Sequence, residues 1–532
     1  MNDDIVRPAD VLRISRRYLY FTVFIAGMST LAVEFTTSRM LQTVYGTSNI
    51  VWANVIGLVL LFLTLGYFIG GWIADRYPRP TPFFWLVTAS GFFSIFFLLL
   101  TSIILRTAAS AMASVNLGAI ISSLFGVLIT LAVPVTLLGC ISPFAIRLAV
   151  DDVTEAGRVS GRIYAVSTLG SLLGTYLPVL FVIPLAGSRA AAVLFGALLL
   201  AVGIVGLWKI KAKNRGIALG MTLLLLPFIV FGTKGGIKDH PDQIFETESA
   251  YNYIQVIRRE DCNYLLLNEG QAYHSYYCDD GRVPRISVWS IMLSAPYFNE
   301  EINTSALQKM AVIGLAAGTI PMQFNEVFGP LQVDGIELDP EVVEAGKEYF
   351  ELDDTAINVI IGDGRYELSK LEDSYDLITL DAYKVPYIPW HLTTVDFFQE
   401  VKEHLDEEGI FAVNVGRAPN DRSLVEAVTA TLQRAFPTVY TIDVPASLNS
   451  ILVATAEPTN IENFYANIDQ LPQDAHPLLQ RSLSAAAENI VPTVAGDTIF
   501  TDQRAPVETI VDSLVIRYLL DEGPSGLIEI GE

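Results

Sequence analysis

Long apolar stretches dominate the first 235 residues, whereas apolar and polar positions alternate over much shorter distances after them. A transmembrane helix needs about 20 mainly apolar residues. Seven stretches reach or approach that length: roughly 18–40, 49–74, 82–105, 115–149, 161–186, 189–208 and 216–233. They lack the polar faces that helices on a soluble core carry. The pattern therefore predicts a multi-pass α-helical membrane domain over residues 1–235.

The positive residues between these stretches predict their orientation. Arginines and lysines cluster on alternate loops: 7–17, 76–79, 147–162 and 209–215. Because positive residues tend to stay cytoplasmic, the N-terminus and these loops are expected inside. The first cluster leads into a full-length span without a small-residue cleavage site, so a cleavable signal peptide is not expected.

Two segments of this region resemble half of a major facilitator transporter. GYFIGGWIADRYPRP (66–80) resembles the glycine-rich loop between the second and third helices of that family, and GRIYAVSTLGSLLGTYLP (161–178) resembles the fifth helix. Gly66 with Gly70, and Gly170 with Gly174, form small-xxx-small pairs. Such pairs are expected to be seams where helices pack closely.

The pattern changes near residue 245. YIQVIRRE, YLLLNEG and AYHSYYC predict three short strands of a β-meander over 245–300. Strands and helices then alternate over 301–456, which predicts a mainly parallel sheet with helices on both faces, a Rossmann-like α/β fold. Residues 457–532 form a C-terminal extension in this division.

Charge is also distributed unevenly along the chain. Residues 1–235 hold 17 of the 34 lysines and arginines but 8 of the 57 acidic residues, which leaves 17 basic and 49 acidic residues for the rest. Such a break marks a domain boundary. The acidic part would repel phosphates, so nucleic acid is not an expected partner.

Acidic and glycine residues fall where the predicted parallel strands end, which is where open α/β sheets bind ligands. A glycine turn lets a ligand approach the backbone, and an acidic residue about 20 positions later can meet ribose hydroxyls. A carboxylate after the third strand can accept from an adenine amino group. The residues in question are Gly314, Gly318, Glu337, Asp363, Gly364 and Asp381. Together they predict a nucleoside site.

With these motifs in order, residues 245–456 resemble the membrane-fused polyamine aminopropyltransferases (spermidine synthases), whose fold is also that of class I methyltransferases. SAYNYIQV and YLLLNEGQAYHS match the opening strands of that family, and TDQRAPVE (501–508) resembles the tail of its membrane-fused members. The resemblance implies decarboxylated S-adenosylmethionine as co-substrate, Asn252 beside the methylthioadenosine, Glu337 on the ribose and Asp381 as catalytic base. The apolar stretches make a lipid bilayer an expected partner, and a homodimer is a further expectation.

Three positions depart from the family pattern. Ala317 replaces the aspartate that holds the aminopropyl end of the donor, and Lys384 replaces the second substrate-binding acid. Val288-Trp289-Ser290 falls on a helix motif that ends in an acid in the family. The acceptor, whether an amine or a membrane-associated molecule, is therefore left open.

Four further residues near the predicted cleft are candidates for substrate binding: His274, Tyr383, Lys384 and His391. The two histidines can also handle protons near neutral pH. The five histidines and three cysteines show no metal-ligand spacing, so no metal is expected.

Three functions follow from these residues. One is an aminopropyltransferase-like enzyme that uses the decarboxylated donor. Another is a methyltransferase or related enzyme that uses intact S-adenosylmethionine, since Ala317 no longer selects the decarboxylated form and Lys384 can meet a carboxylate or phosphate. The third is a transporter-like membrane protein whose nucleoside domain only senses a ligand.

The last expectation concerns the side of the membrane on which the second part of the chain lies. Seven spans from a cytoplasmic N-terminus would place the second part outside, although the weakest span, 216–233 with Pro227, can instead lie in the interface. Cys262 and Cys278 approach each other in the predicted meander, so a disulfide is geometrically feasible. Adenosylated donors, however, are made inside cells. The expectation is therefore a cytoplasmic catalytic domain in which both thiols are free.

Overall fold

The structure is a computed structural model that describes residues 15–45, 49–114, 119–232, 240–268, 272–300, 302, 307–353, 355–383 and 387–521. The chain divides into two units. The N-terminal unit is residues 1–239 with 248–250, and the C-terminal unit is residues 240–247 with 251–532. The finer division predicted from the sequence, at 245–300, 301–456 and 457–532, stays a prediction.

The N-terminal unit consists mainly of helices. Its helices are α1 (Arg16–Tyr45), α2 (Asn49–Arg76), α3 (Pro80–Ser114), α4 (Ala119–Ala149), α5 (Ala156–Leu177), α6 (Ile183–Lys209) and α7 (Arg215–Gly232). Five helical stretches are long and apolar enough to cross a membrane. The fifth, Val153–Lys209, is 57 residues long and is interrupted at Gly187, where φ is 79°. It therefore covers two of the seven predicted spans.

The seventh predicted span, 216–233, falls on α7, which is 18 residues long. This helix contains Pro227, and its crossing of a membrane stays a prediction. The first residues of the fourth predicted span, 115–118, lie outside the described part of the chain.

The two predicted glycine seams are confirmed as close helix contacts. A Cβ on Gly66 would lie 2.3 Å from the Thr136 carbonyl oxygen of α4, and one on Gly174 would lie 2.0 Å from the Met28 carbonyl oxygen of α1. Because a side chain at either position would collide with a neighbouring backbone, these glycines let α2 approach α4 and α5 approach α1.

The C-terminal unit begins with a four-stranded sheet in the order β1-β2-β3-β4. Its strands are β1 (Gln243–Glu248), β2 (Tyr253–Arg259), β3 (Cys262–Leu267) and β4 (Tyr273–Cys278). The three-stranded meander predicted from the sequence is confirmed, and β1 is an additional strand.

Cys262 and Cys278 face each other in this meander. They are opposite partners in the antiparallel β3–β4 pair and form a disulfide. The expectation of two free thiols is therefore wrong. The bond conflicts with the cytoplasmic placement as well, because such bonds are rare in the cytosol.

The main sheet has eight strands in the order β12-β10-β11-β9-β8-β5-β6-β7. They are β5 (Lys309–Ile313), β6 (Gln332–Glu337), β7 (Ile357–Ile361), β8 (Tyr375–Leu380), β9 (Leu405–Gly416), β10 (Thr438–Asp443), β11 (Asn449–Thr455) and β12 (Ile490–Val491). Strands β5 to β9 run parallel to one another, and β11 runs antiparallel to both β9 and β10. The predicted mainly parallel α/β sheet is confirmed.

Helices cover both faces of this sheet because its strands are apolar on both sides. They are α8 (Val288–Met292), α9 (Thr319–Phe328), α10 (Pro340–Tyr349), α11 (Gly364–Leu368), α12 (Val395–Glu403), α13 (Ser423–Leu432), α14 (Ile461–Asp469), α15 (Pro477–Asn489) and α16 (Val507–Asp521). One face buries Trp289, Phe298 and Phe324, and the other buries Phe397 and Phe411. The carboxyl ends of β5, β6, β7, β8, β9 and β10 consequently lie along one edge of the sheet.

Candidate active site

A glycine turn follows β5 at this edge and lies directly against the next strand of the sheet. Gly314 has φ +88°, and a Cβ there would lie 2.6 Å from the Asp381 carbonyl oxygen. The Asp381 N–H donates to the Ile313 carbonyl at 2.9 Å. Gly314 therefore serves both a backbone conformation that favours glycine and the close approach of β5 to the end of β8.

Glu337 ends β6 and is held by the main chain. Its Oε2 accepts from the Ala316 N–H at 2.9 Å, and its Oε1 accepts from the Asp339 N–H at 3.1 Å. Burial raises the pKa of Glu337 to about 7, although these two hydrogen bonds lower it. Each oxygen keeps a lone pair, so the carboxylate can still accept from two ribose hydroxyls.

Asn252 lies beside the end of the same strand. Its Nδ2 donates to Asp339 Oδ2 at 2.8 Å, and its Oδ1 accepts from Asn268 Nδ2 at 2.8 Å. Asp339 is fully buried and caps α10 by accepting from the Glu341 N–H. The structure thus places Asn252 in a hydrogen-bond network at the edge of the cleft, and its contact with a nucleoside stays a prediction.

Asp363 and Gly364 connect β7 to α11. Asp363 Oδ1 accepts from the Tyr366 N–H at 3.1 Å and so caps the helix, while its Oδ2 lies 2.9 Å from His391 Nε2. A Cβ on Gly364 would lie 2.5 Å from the Ile313 Cγ2, so glycine lets this loop close on β5. His391 therefore contacts Asp363, and no contact of His391 with Asp381 is seen among the described residues.

Arg365 joins this loop to the C-terminal segment. Its guanidinium donates to both oxygens of Glu400, at 2.8 and 2.6 Å, and to both oxygens of Asp502, at 2.8 and 2.9 Å. Thr394 also donates to Asp502 at 2.7 Å. Asp502 belongs to the motif TDQRAPVE, to which the sequence assigned no role. The motif thus holds Arg365, which lies two residues after Asp363.

Asp381 accepts hydrogen bonds from two segments that are distant in the sequence. Its Oδ2 accepts from Trp289 Nε1, and its Oδ1 accepts from Asn414 Nδ2, each at 2.8 Å. Burial raises the pKa of Asp381 above its ordinary 3.8, against the two hydrogen bonds, which lower it. Two N–H donors aimed at one side chain fix its orientation and favour its ionised form.

Tyr383 lies next to this carboxylate. Its hydroxyl donates to the Asn414 carbonyl oxygen at 2.9 Å, and burial, followed by the charge of Asp381, raises its pKa well above 10. Tyr383 is therefore a neutral hydroxyl at neutral pH. Lys384, the other substrate-binding candidate of this loop, lies outside the described residues.

His274 lies on β4, where the β3–β4 register shifts. Burial lowers its pKa to about 4, and its Nε2 is buried with no hydrogen-bond partner among the described residues. A histidine that stays neutral at pH 7 with so low a pKa is a poor proton acceptor. In the part of the chain that the structure describes, no group of His, Cys, Asp or Glu side chains could hold a metal ion.

Two residues that hold Asp381 were missed or misread in the sequence. Trp289 stood out only because it belongs to a motif without its acid, and Asn414 was not singled out at all. A signal for Asn414 exists, because it is the one polar residue in the apolar run IFAVNV at the end of β9. A buried amide in such a strand needs a hydrogen-bond partner.

Comparisons with known proteins concern mainly the C-terminal unit. The family model described as the spermine/spermidine synthase domain matches residues 307–467. The C-terminal half of this chain carries a spermidine synthase domain. It is therefore a transferase domain, and the predicted spermidine synthase-like fold and resemblance are confirmed.

The relatives of this domain differ in the functions that their names give. A probable polyamine aminopropyl transferase of Bifidobacterium longum is 27% identical over 346 residues, which covers 60% of this chain and 76% of the relative. The mouse eEF1A lysine and N-terminal methyltransferase is 28% identical over 171 residues, 30% of this chain and 24% of that protein. A solved spermidine synthase in complex with the transition-state analogue AdoDATO has 18% identity and a TM-score of 0.38, and covers 49% of this chain and 88% of that one.

Proposed function

We propose that this domain transfers an aminopropyl group from a decarboxylated S-adenosylmethionine-type sulfonium to an amine, with Asp381 as the base. The observation that supports this most is the Asp381 carboxylate itself. It ends the strand beside the glycine turn, and both of its oxygens are oriented by N–H donors. That is the geometry expected of a group that must align an amine and accept its proton.

The transfer reaction needs little from the protein beyond alignment of the amine and removal of its proton. The amine nitrogen attacks the propyl carbon bonded to sulfur, the carbon–sulfur bond breaks, and its electron pair returns to sulfur to give a neutral thioether. The acceptor's ammonium proton passes to Asp381. Burial, which raises the pKa of Asp381, also makes it a better proton acceptor than an exposed aspartate. Its negative charge favours the nearby sulfonium as well.

The nucleoside half of the donor fits the remaining strand ends. Glu337 keeps acceptor capacity for the ribose hydroxyls, and Asp363 keeps acceptor capacity for the amino group of adenine. The glycine turn lets the backbone approach the ligand. The aminopropyl end fits less well, because Ala317 is fully buried and its N–H donates to Ser275 Oγ at 3.0 Å.

Ala317 supports a second candidate function, the transfer of a methyl or related group from intact S-adenosylmethionine. An acid at this position would bind the aminopropyl ammonium and repel the carboxylate that the intact donor carries. With alanine there, neither form of the donor is selected by charge at this turn. The choice between the two donors therefore rests on measurement.

We further propose that the enzyme is membrane-bound and that this domain lies on the extracytoplasmic side. The five apolar stretches support membrane attachment. The Cys262–Cys278 disulfide supports the oxidising side, because such bonds persist there and are rare in the cytosol. This placement replaces the cytoplasmic one that the origin of the donor suggested, and it requires the donor to reach the outer face.

The proposed function is tested with the purified full-length chain, a mixture of amines, and each donor in turn. Mass spectrometry identifies the nucleoside product. We expect 5′-methylthioadenosine from the decarboxylated donor, in an amount that depends on the amine. S-adenosylhomocysteine from the intact donor would establish the second candidate instead. If both donors bind but neither is consumed, the domain senses a nucleoside and the proposal is wrong.

A further inference from the structure

A cluster of basic residues lies at the same edge of the sheet as Asp381, on the side away from the nucleoside residues. Arg417 follows β9, Arg422 precedes α13, and Asp443 ends β10. The sheet order places β9 and β10 on one side of β8, and β5, β6 and β7 on the other. Asn414, which holds Asp381, is three residues before Arg417. The cluster therefore flanks the half of the site that an acceptor would occupy.

Asp443, the carboxylate of this cluster, is paired with Arg422. Its two Nη atoms donate to both oxygens of Asp443 at 2.9 and 2.8 Å, and Ser450 Oγ donates to the same carboxylate at 2.7 Å. A bidentate guanidinium–carboxylate pair of this kind is satisfied in itself. Asp443 consequently has little capacity left for a second guanidinium.

Arg417 is the second guanidinium. Its Nη2 donates to the Ser447 carbonyl oxygen at 3.1 Å. Its Nε lies 3.4 Å from Asp443 Oδ1, yet it is buried and makes no hydrogen bond to any described residue. The Arg417 side chain is 14% exposed, so water can replace few of the missing contacts.

The other charges near the cluster do not neutralise Arg417. Asp421 is paired with Arg517 at 3.1 Å, and Glu426 acts on Arg422. Burial lowers the pKa of Arg417, Asp443 raises it, and Arg422 lowers it further. Two guanidiniums thus share one carboxylate, and an incompletely paired, largely buried cation remains beside the acceptor half of the site.

We propose that Arg417 binds an oxyanion of the acceptor, so that the acceptor is an amine that also carries a carboxylate or a phosphate. The proposal rests on the proposed function, since it names the class of acceptor for that reaction. Arg417 Nε is itself buried against Asp443, so an oxyanion would be met by the Nη atoms, of which only Nη2 has a hydrogen-bond partner among the described residues. A planar guanidinium matches either oxyanion. The same half of the site carries Ser290 where the family pattern has an acid, so an oxyanion there meets no like charge from that position.

The test uses two pairs of amines that differ only in the oxyanion. Ornithine is compared with 1,4-diaminobutane for carboxylate, and O-phosphoethanolamine with ethanolamine for phosphate. With full-length wild-type protein and labelled donor, we expect kcat/KM to be at least about tenfold higher for the oxyanion member of one pair, as one charge-assisted hydrogen bond would give. The pair that shows the preference identifies the oxyanion.

Arg417→Gln is expected to remove most of that preference while it leaves the donor dissociation constant and the turnover of the plain amine within about twofold. Arg417→Lys keeps the charge and should retain part of the preference. Arg434→Gln, which alters an exposed arginine just after α13, serves as the control. Unchanged thermal unfolding would show that Arg417→Gln still folds.

Three results would overturn the proposal. In the first, wild type uses the plain amine of each pair at least as well as its oxyanion partner. In the second, Arg417→Gln slows both members of a pair equally. Both results leave aminopropyl transfer standing and refute only the oxyanion. In the third, wild type binds neither donor, which refutes the proposed function and this inference with it.

Discussion

The two halves of the site hold their carboxylates by different means. On the nucleoside side, Glu337 and Asp363 accept hydrogen bonds from backbone N–H groups of a turn and of a helix start. On the acceptor side, Asp381 is held by the side chains of Trp289 and Asn414, which come from two other elements. Glu337 thus keeps its geometry as long as the fold is intact, and Asp363 is held by the main chain with one further contact from His391, whereas Asp381 depends on the identity of two particular residues.

This difference shows which half of the site can change during evolution without loss of the fold. A site held by the main chain keeps its ligand when surrounding side chains vary. A carboxylate held by side chains can be retuned by one substitution, and Ser290 and Arg417 lie in or beside this half. The nucleoside part of the donor is therefore expected to be common to the family and the acceptor to be particular to this chain.

The largest expected effect comes from Asp381→Asn. Loss of the base is expected to lower kcat by about 100-fold to 10,000-fold, the usual contribution of general base catalysis. Steady-state rates at saturating donor measure it. Asp373→Asn, which removes a carboxylate that is 58% exposed, is the control and should leave kcat unchanged. A retained rate in Asp381→Asn would exclude Asp381 as the base.

The second prediction concerns Glu337 and pH. Its pKa of about 7 means that the free enzyme holds a proton there below neutrality, and ribose binding to the carboxylate must displace it. Donor affinity is therefore expected to fall as the pH drops through about 7 and to level off above it. Glu337→Gln should make the titration flat. Equilibrium titration between pH 5 and 9 measures it, and equal slopes in both proteins would exclude the ribose contact.

The third prediction concerns a variant that removes the hydrogen bond between Trp289 and Asp381. Trp289→Phe keeps the ring but removes the N–H that donates to Asp381, and is expected to lower kcat about tenfold. Because that hydrogen bond lowers the pKa of Asp381, its loss should also move the acid limb of the kcat profile to higher pH. Trp390→Phe, at a tryptophan that is 43% exposed, is the control. An unshifted profile would indicate that Trp289 only packs.

The smallest effect, a change in stability, is expected from Asp502→Asn, which alters a partner of Arg365. Arg365 keeps its pair with Glu400, and Asp502 is 42% exposed, so the loss of unfolding free energy should stay below about 1 kcal/mol. The hydrogen bond from Arg365 lowers the pKa of Asp502, so this contribution is present above its ordinary 3.8 and disappears as the pH falls through the lowered value. Thermal unfolding measures it, with Asp497→Asn as the exposed control. Donor affinity reduced more than stability would show a direct role for the tail.

The same difference explains how much of the site the sequence could predict. Gly314, Glu337, Asp363 and Asp381 follow strands, and the carboxyl ends of parallel strands meet at one edge, so their grouping follows from periodicity alone. The contacts of Asp381 could not be predicted in this way. Trp289 and Asn414 come from a short helix and a distant strand, and only the packed sheet brings their N–H groups to one carboxylate.

The fold shows a similar division. The apolar stretches and the βα alternation predicted α1 to α6 and the parallel strands. The stretch at 216–233 predicted α7, although Pro227 lies inside that helix. The disulfide was rejected on the availability of the donor, although the strand register pairs Cys262 with Cys278. The register of the meander therefore indicates this bond, whereas the origin of the donor carries no information about the distance between the two cysteines.

The central claim, that the two halves of the site act separately, is tested most directly by one binding measurement. 5′-Methylthioadenosine is titrated into wild-type protein, Asp381→Asn and Glu337→Gln at pH 8. We predict a dissociation constant within about twofold of wild type for Asp381→Asn, and one raised about 5-fold to 100-fold for Glu337→Gln, as expected when a hydrogen-bonding acid at a buried site is altered. Equal weakening in both variants, or a larger loss in Asp381→Asn, would contradict the claim.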